Sequence, residues 1–71
     1  MVWNDNINTQ DFVVFVFRTV LHMDKNTATR HMLEVHEAGS SVVFSGNKER
    51  CEYYTVRIKD YGIKASLEQA S

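Results

Sequence analysis

The chain has 71 residues, of which 44% are hydrophobic, and its eight basic and nine acidic residues give a net charge of −1. This length suffices for one domain over residues 1–71 and leaves no room for a second. The longest apolar run, residues 12–17, is too short to cross a bilayer, and the basic residues are scattered along the chain. The single cysteine excludes an internal disulfide and favours a cytoplasmic protein. From the short apolar run and the scattered basic residues, we expect that it binds no membrane and no nucleic acid. We also expect a monomer.

The first third of the chain predicts a short strand followed by a helix. Residues 1–3 are apolar and are followed by a polar turn at residues 4–6. Asn8 is a candidate N-cap for the next element. Residues 12–17 have strand propensity throughout, yet apolar residues continue at helical spacing beyond them. The cap and the length of the segment favour a helix over residues 9–22.

The rest of the chain predicts two further helices with recognisable ends. Asp24 is expected to cap a second helix, which Gly39 ends. Asn47 is expected to cap a third helix, which Gly62 ends. Proline is absent from the sequence, so these polar and glycine residues are the available stop and start signals.

Two more short strands complete the predicted architecture. They lie at residues 40–45 and at residues 63–68, where apolar and polar residues alternate. The element order is then β-α-α-β-α-β. We predict an α+β two-layer sandwich in which three helices pack on one face of a three-stranded, mainly antiparallel sheet.

Residues that could perform catalysis or bind a metal form no recognisable pattern. One cysteine and three dispersed histidines lack the paired spacing of a metal site. The hydroxyl residues have no evident base and orienting group, so no nucleophile–base pair can be named. His22 and His31 are expected to be solvated helix residues. We therefore predict that the protein is not an enzyme and has no catalytic residue, metal or cofactor.

His36 differs from the other histidines in its position. It follows an apolar stripe that Ala28, Met32 and Val35 form on the second helix, so its ring is expected at the edge of that stripe. Taken alone, a histidine at such an edge is more often structural. Asn4-Asp5 taken alone is ordinary turn chemistry.

Three segments of the sequence resemble the ClpS family of adaptors for the Clp AAA+ proteases. They are Val-Trp-Asn-Asp-Asn at residues 2–6, Phe-Val-Val-Phe-Val-Phe at residues 12–17, and Ala-Thr-Arg-His-Met-Leu-Glu-Val-His-Glu-Ala-Gly at residues 28–39. The most specific part is Met-Leu-x-Val-His-x-x-Gly combined with the early Asn-Asp. The resemblance spans essentially the whole chain, and Asn8 and Tyr61-Gly62 are closest to actinobacterial members.

The resemblance implies that the protein is an N-recognin. Such adaptors bind substrates with a bulky hydrophobic first residue (Leu, Phe, Tyr or Trp), known as N-degrons, and deliver them to the N-terminal domain of a Clp unfoldase of the ClpA or ClpC type. On the matching positions, Asn4, Asp5 and His36 would hold the free α-amino group. Glu49 would dock on the unfoldase. The residues that would line the pocket for the first side chain are Val2, Asn8, Gln10, Val13, Met32, Val35 and Ile63.

The sequence departs from the family pattern in three respects. Many relatives have Pro and Met where this chain has Thr9 and Gln10, and that Met helps to exclude β-branched first residues, so the accepted side chains are expected to differ. On the docking face, Tyr54 replaces a lysine. The chain begins at the first strand, so the flexible N-terminal extension of the family is expected to be absent.

Two other interpretations remain at this point. The first is a structural interaction module that resembles the C-terminal domain of the ribosomal stalk protein, which has the same β-α-α-β-α-β order and recruits translation factors. It would not need Asn4-Asp5 and His36 to lie together, so their arrangement discriminates between the two. A small hydrolase is the third interpretation, and no nucleophile–base pair supports it.

Overall fold

A computed structural model of the protein describes residues 1–4 and 7–68 and shows an α+β architecture. The elements in chain order are strand β1 (Val2–Trp3), helix α1 (Gln10–Leu21), helix α2 (Lys25–Ala38), strand β2 (Ser40–Ser41) and helix α3 (Lys48–Asp60). The predicted fold class and the three predicted helices are confirmed. None of the helices in the described part of the chain is long and apolar enough to cross a membrane.

The start of α1 corrects the predicted cap. Thr9, not Asn8, is the N-cap, and its Oγ1 accepts a hydrogen bond of 3.1 Å from the backbone N–H of Phe12. A short hydroxyl side chain at this position reaches the third helical N–H, which would otherwise lack a partner. The side chain of Asn8, one residue too early, instead donates from Nδ2 to the carbonyl oxygen of Gly62 at 3.0 Å.

The ends of the other two helices follow the sequence signals closely. Asp24 caps α2, and Gly39 ends it with φ +90°, a left-handed backbone conformation that glycine adopts readily. Asn47 caps α3 by accepting hydrogen bonds from the backbone N–H groups of Glu49 and Arg50. Helix α3 ends at Asp60, two residues before the predicted terminator, because the turn at its end is already closed by hydrogen bonds to the carbonyl oxygens of the last turn.

The predicted three-stranded sheet is not confirmed. Strands β1 and β2 pair antiparallel, with Val2 opposite Ser41 and Trp3 opposite Ser40, so the predicted strand at residues 40–45 is reduced to its first two residues. The segment at residues 63–68 forms no strand, and it makes one isolated antiparallel bridge between Ala65 and Val2. The physical reason is the length of β1, since a two-residue strand offers few backbone groups to partners on either side.

The core lies where the three helices and β1 meet. Helix α1 contributes Val16 and Phe17, both fully buried, and the predicted apolar stripe of α2 faces them. The buried apolar residues are Val2, Val16, Phe17, Val20, Ala28, Met32, Val35, Val43, Ile58 and Ile63. Phe12 to Phe17 therefore form a helix despite their strand propensity, because helical spacing brings the three buried α1 residues onto one face.

Candidate functional site

A cavity of about 270 Å³ opens where β1, the start of α1 and the last turn of α2 meet. Its lining residues are Val2, Trp3, Asn4, Asn8, Thr9, Gln10, Val13, Met32, Val35, His36 and Ile63. The structure thus brings together all seven residues expected to line a pocket, and it places Asn4 and His36 at the same cavity. Asp5, the third residue expected to hold an amino group, lies outside the described residues.

The polar side chains are positioned by the junction between β1 and α2. The backbone N–H of Asn4 donates to the carbonyl oxygen of Gly39 at 2.9 Å, which fastens the end of β1 beside the C-terminal end of α2. His36 lies in the last turn of α2. Asn4 and His36 are both exposed to solvent. The cavity is therefore polar and wet at this edge.

The opposite side of the cavity is part of the hydrophobic core. Val2, Met32, Val35 and Ile63 each expose less than a tenth of their surface. They come from β1, from the apolar stripe of α2 and from the segment after α3. Because these side chains are already ordered by core packing, the apolar base of the cavity is formed before any ligand enters.

Two lining residues were not predicted from the sequence. Trp3 follows Val2 in β1, and Thr9 immediately precedes α1. Both residues could have been found from their neighbours in the sequence. Val2 and Asn8 were predicted to line the pocket, and a residue next to such a position in a short strand or a turn commonly lies at the same site. Thr9 was noted beside Gln10 as a departure from the family pattern, but it was not among the residues expected to line the pocket.

The electrostatics of the lining favour a cation. Among the described residues that line the cavity, none is Lys or Arg, and His36 is the sole titratable side chain. The last turn of α2 contributes both Val35 and His36, and the C-terminal end of a helix carries a partial negative charge. A positive group at the mouth of the cavity would therefore meet the negative end of the α2 dipole and, among the described lining residues, no Lys or Arg side chain.

The described lining contains few side chains with a nucleophilic oxygen or sulfur atom. Thr9 is the one hydroxyl residue among the lining residues that the structure describes, and its oxygen already accepts the capping hydrogen bond at the start of α1. No cysteine or serine within residues 1–4 and 7–68 lines the cavity. Within the described residues, no three His, Cys, Asp or Glu side chains are grouped so that they could hold a metal ion.

The prediction that His31 is a solvated helix residue is wrong. Its Nδ1 lies 2.8 Å from Oγ of Ser41, so it is a partly buried, hydrogen-bonded residue that connects α2 to β2, and not a solvated one. Although this is a serine–histidine contact, Ser41 is only 2% exposed and does not line the cavity. The pair is therefore structural, because a buried hydroxyl cannot reach a substrate.

The residue expected to dock on an unfoldase lies on a different surface. Glu49 is exposed in the first turn of α3, and Tyr53 and Val56 follow it at helical spacing, each with 57% of its surface exposed. Tyr54, where relatives have a lysine, is half-buried and packs edge-to-face against Phe44 with ring centroids 4.7 Å apart. It therefore supports the β2–α3 loop and presents no charge on this surface.

Comparison with known proteins places these observations in a family. The family model described as "ATP-dependent Clp protease adaptor protein ClpS" matches residues 1–67. The chain is 39% identical to an "ATP-dependent Clp protease adapter protein ClpS" of Corynebacterium glutamicum (strain R) over 70 residues, which are 99% of this chain and 70% of the relative.

A second relative with the same name comes from another actinobacterial genus. It is a protein of Streptomyces avermitilis, 39% identical over 69 residues, which are 97% of this chain and 66% of the relative. Both relatives agree with the predicted resemblance to actinobacterial members. Family membership also favours the adaptor over the stalk-like module and the hydrolase. The chain belongs to the ClpS family of adaptors of ATP-dependent Clp proteases.

Proposed function

We propose that this protein captures polypeptides by their first residue and delivers them to a Clp AAA+ protease. The free α-amino group binds at Asn4, Asp5 and His36, and a bulky hydrophobic first side chain enters the cavity. The observation that carries this proposal is the juxtaposition of Asn4 and His36 with a buried apolar base in one cavity.

The polar edge of the cavity suits an α-ammonium group. Such a group has three N–H donors and no acceptor, and it is costly to desolvate unless acceptors replace water. The side-chain oxygen of Asn4, a neutral ring nitrogen of His36 and the carboxylate of Asp5 are acceptors of the required kind. The C-terminal end of α2 adds a favourable field for the positive charge.

The size and the lining of the cavity suit one side chain. Pockets for whole drug-sized ligands are commonly about 300–1,000 Å³, and this cavity, at about 270 Å³, is below that range. Its base consists of aliphatic and thioether side chains, which can surround a Leu or Phe side chain but offer nothing to a charged one. Burial of a Leu or Phe side chain contributes roughly 1.5–3 kcal/mol.

Delivery would use the surface that contains Glu49. This residue, Tyr53 and Val56 form an exposed stripe on α3 that shares no residue with the cavity, so a substrate and an unfoldase could be bound at the same time. The relatives are named as adapters of an ATP-dependent Clp protease, which supports a Clp protease as the partner of this chain.

A peptide titration tests the proposed capture step. A fluorescent peptide that begins with Phe is compared with its N-acetylated form and with a peptide that begins with Asp. The free Phe peptide should bind most tightly, because only it supplies both a cation and an apolar side chain. Asn4→Ala and His36→Ala should each weaken binding of the free peptide about tenfold, a loss of about 1.4 kcal/mol, and should leave the acetylated peptide unaffected.

Matched variants outside the cavity serve as controls. Asn26→Ala, on the first turn of α2, and His22→Asn, after α1, remove the same side-chain types from exposed positions that do not line the cavity. Both should bind the free peptide as the unaltered protein does. Equal affinity for free and acetylated peptides would overturn the proposal, since the α-amino group would then contribute nothing.

A further inference from the structure

The face of α1 that points away from the core carries an exposed aromatic side chain between two opposite charges. Phe15 exposes 54% of its surface, Asp11 precedes it by one helical turn, and Arg18 follows it by about one turn. Together with the half-buried Val14, these residues line a shallow depression in the surface. We propose that this face binds the same face of a second copy of the chain, in an antiparallel, two-fold symmetric pair of α1 helices.

The spacing of the exposed residues makes them one stripe. Asp11, Phe15 and Arg18 stand at positions i, i+4 and i+7 of α1, and residues with this spacing lie on one face of a helix. Val16 and Val20, which are buried in the core, lie on the opposite face of the helix. The stripe is therefore directed outwards, where another helix can reach it.

The depression has the arrangement that receives a side chain from a facing helix. In closely packed helix pairs, a side chain of one helix inserts between four residues of the other, at positions i, i+3, i+4 and i+7. The residues of α1 that have this spacing and line the depression are Asp11, Val14, Phe15 and Arg18. The centre of this set lies between Val14 and Phe15. A two-fold pairing that places Phe15 of each copy beside Val14 of the other therefore fills both depressions at once.

The charges set the direction of the pairing and indicate that the partner is a second copy. In the antiparallel arrangement, Asp11 of each copy faces Arg18 of the other, so an ion pair forms on each side of the apolar contact. A parallel arrangement would instead bring like charges together, which is repulsive. Within one copy, Asp11 and Arg18 are about 10 Å apart along the helix axis, since each residue adds about 1.5 Å. They are too far apart to pair with each other, and the second copy supplies the missing partners.

Such a pair would be weak and would leave the other surfaces open. Helix α1 has 12 residues, so it is about 18 Å long, and its contact with a second copy is smaller than the roughly 1,600 Å² of a standard interface. We expect a Kd of the order of 100 µM, with a monomer at low micromolar concentration. The α1 face shares no residue with the cavity or with the α3 stripe that contains Glu49, so each pair would present two cavities.

Sedimentation equilibrium of the 71-residue chain between about 10 µM and about 1 mM tests the pairing. The unaltered chain should change from monomer to dimer over this range. Phe15→Ala should weaken the pairing at least about tenfold, because the side chain that fills the depression is removed. Val56→Ala, which shortens a similarly exposed apolar side chain on α3, is the matched control and should pair as the unaltered chain does. Circular dichroism verifies that both variants keep their helices.

Exchange of the charges tests the antiparallel arrangement. Asp11→Arg and Arg18→Asp should each abolish pairing when studied alone, because like charges then face each other. A mixture of these two variants should pair again, as should the double variant, because both ion pairs are restored. Glu34→Arg and Arg30→Glu change the net charge by the same amounts at exposed positions of α2, and each should pair as the unaltered chain does.

Several results would overturn the proposed pairing of α1. They are a chain that stays monomeric at about 1 mM, a Phe15→Ala variant that pairs normally, and a double charge variant that stays monomeric. Equal loss of pairing in the α2 control variants would also overturn it, since association would then follow the net charge and not the α1 stripe. The proposal does not rest on peptide capture, and the peptide affinity measured at low protein concentration should be the same for Phe15→Ala and the unaltered chain.

Discussion

The side chain of Asn8 donates from Nδ2 to the carbonyl oxygen of Gly62 at 3.0 Å, across 54 residues of sequence. This bond joins the loop before α1 to the turn after α3, and Asn8 and Ile63, the residue after Gly62, both line the cavity. Gly62 has φ +85°, a left-handed backbone conformation that few residues other than glycine adopt readily. This conformation sets the direction of its carbonyl group. The bond therefore fixes one wall of the cavity.

Asn8→Ala is expected to lower stability modestly and to weaken peptide binding. Loss of one hydrogen bond to an exposed loop costs roughly 0.5–1.5 kcal/mol, measurable by urea unfolding. Affinity for the Phe-initiated peptide should fall as well, because Ile63 is then less firmly held. Asn26→Ala, which removes an asparagine from α2, is the control for the loss of an amide alone. A variant with wild-type stability and affinity would show that this bond does not hold the wall.

The helices could be predicted from sequence because their signals are local. Asp24, Gly39 and Asn47 act through hydrogen bonds and backbone angles within one turn of their own helix. The sheet could not be predicted with the same success. Whether residues 40–45 and 63–68 form strands depends on how many backbone groups β1 offers them, which is a property of a segment distant in sequence.

Gln10 is expected to determine how β-branched first residues are treated. It is exposed, it is the first residue of α1, and it lines the cavity. Gln10→Met should lower the affinity for a Val-initiated peptide more than the affinity for a Leu-initiated one. The difference in binding free energy between the two peptides should change by about 1–3 kcal/mol. Titration of both peptides against both proteins measures the ratio of the two affinities. Gln10→Ala, which removes the side chain, should change the ratio in the opposite direction, and an unchanged ratio in both variants would exclude Gln10 as a selectivity residue.

His22 has a left-handed backbone conformation, which glycine would adopt with less strain. It ends α1 with φ 57°, in the left-handed region where non-glycine residues are strained by roughly 1–2 kcal/mol. After allowing for the greater flexibility of glycine in the unfolded chain, His22→Gly should stabilise the protein by about 0.5–1 kcal/mol. The measurement is Tm by circular dichroism.

Gly39→Ala is the matched substitution with the opposite expected sign. Gly39 has φ +90°, and a Cβ atom added there would meet no atom within 4 Å, so any loss of stability reports backbone strain alone. We expect Tm to fall by about 4–8 °C for each kcal/mol lost. A gain in Tm for Gly39→Ala, or a loss for His22→Gly, would contradict the assignment of strain to these two positions.

Asp24 is expected to make stability depend on pH in the acid range. A hydrogen bond with the Thr27 side chain, together with the one that the Thr27 backbone N–H donates, lowers the pKa of the Asp24 carboxyl below its ordinary value of 3.8. A lowered pKa in the folded state means that the carboxylate stabilises the protein above that ordinary value, and that this contribution is lost as the pH falls through the folded-state pKa. Tm should therefore fall between about pH 5 and about pH 2.5.

Asp24→Asn identifies the share of this pH dependence that belongs to the cap. Asparagine keeps an oxygen acceptor for the N–H of Thr27 but has no charge to lose, so the fall of Tm between about pH 5 and about pH 2.5 should be smaller in this variant. Asp60→Asn, at the C-terminal end of α3, is the control, because it removes a carboxylate that does not cap the start of a helix. Equal pH profiles for Asp24→Asn and the unaltered protein would rule out the cap as their source.

The candidate site could be predicted only in part, for reasons of geometry. The spacing of Met32, Val35 and His36 defines one face of a helix, so their common cavity follows from helical periodicity. That Asn4 would lie beside them does not follow from any local pattern. It depends on the antiparallel pairing of β1 with β2 directly after Gly39, and the resemblance to a family, not periodicity, supplied that expectation.

Trp3 is expected to report occupancy of the cavity by its fluorescence. It lines the cavity, it is the only tryptophan of the sequence, and its Nε1 donates to Oγ of Ser66 at 2.8 Å. A non-fluorescent peptide that begins with Leu should shift or quench the emission of Trp3 in a saturable manner, because it displaces water next to the indole. Ser66→Ala should shift the emission of the unbound protein and leave the peptide affinity unchanged, since Ser66 does not line the cavity. An emission spectrum that stays the same at saturating peptide would show that Trp3 does not sense the bound side chain.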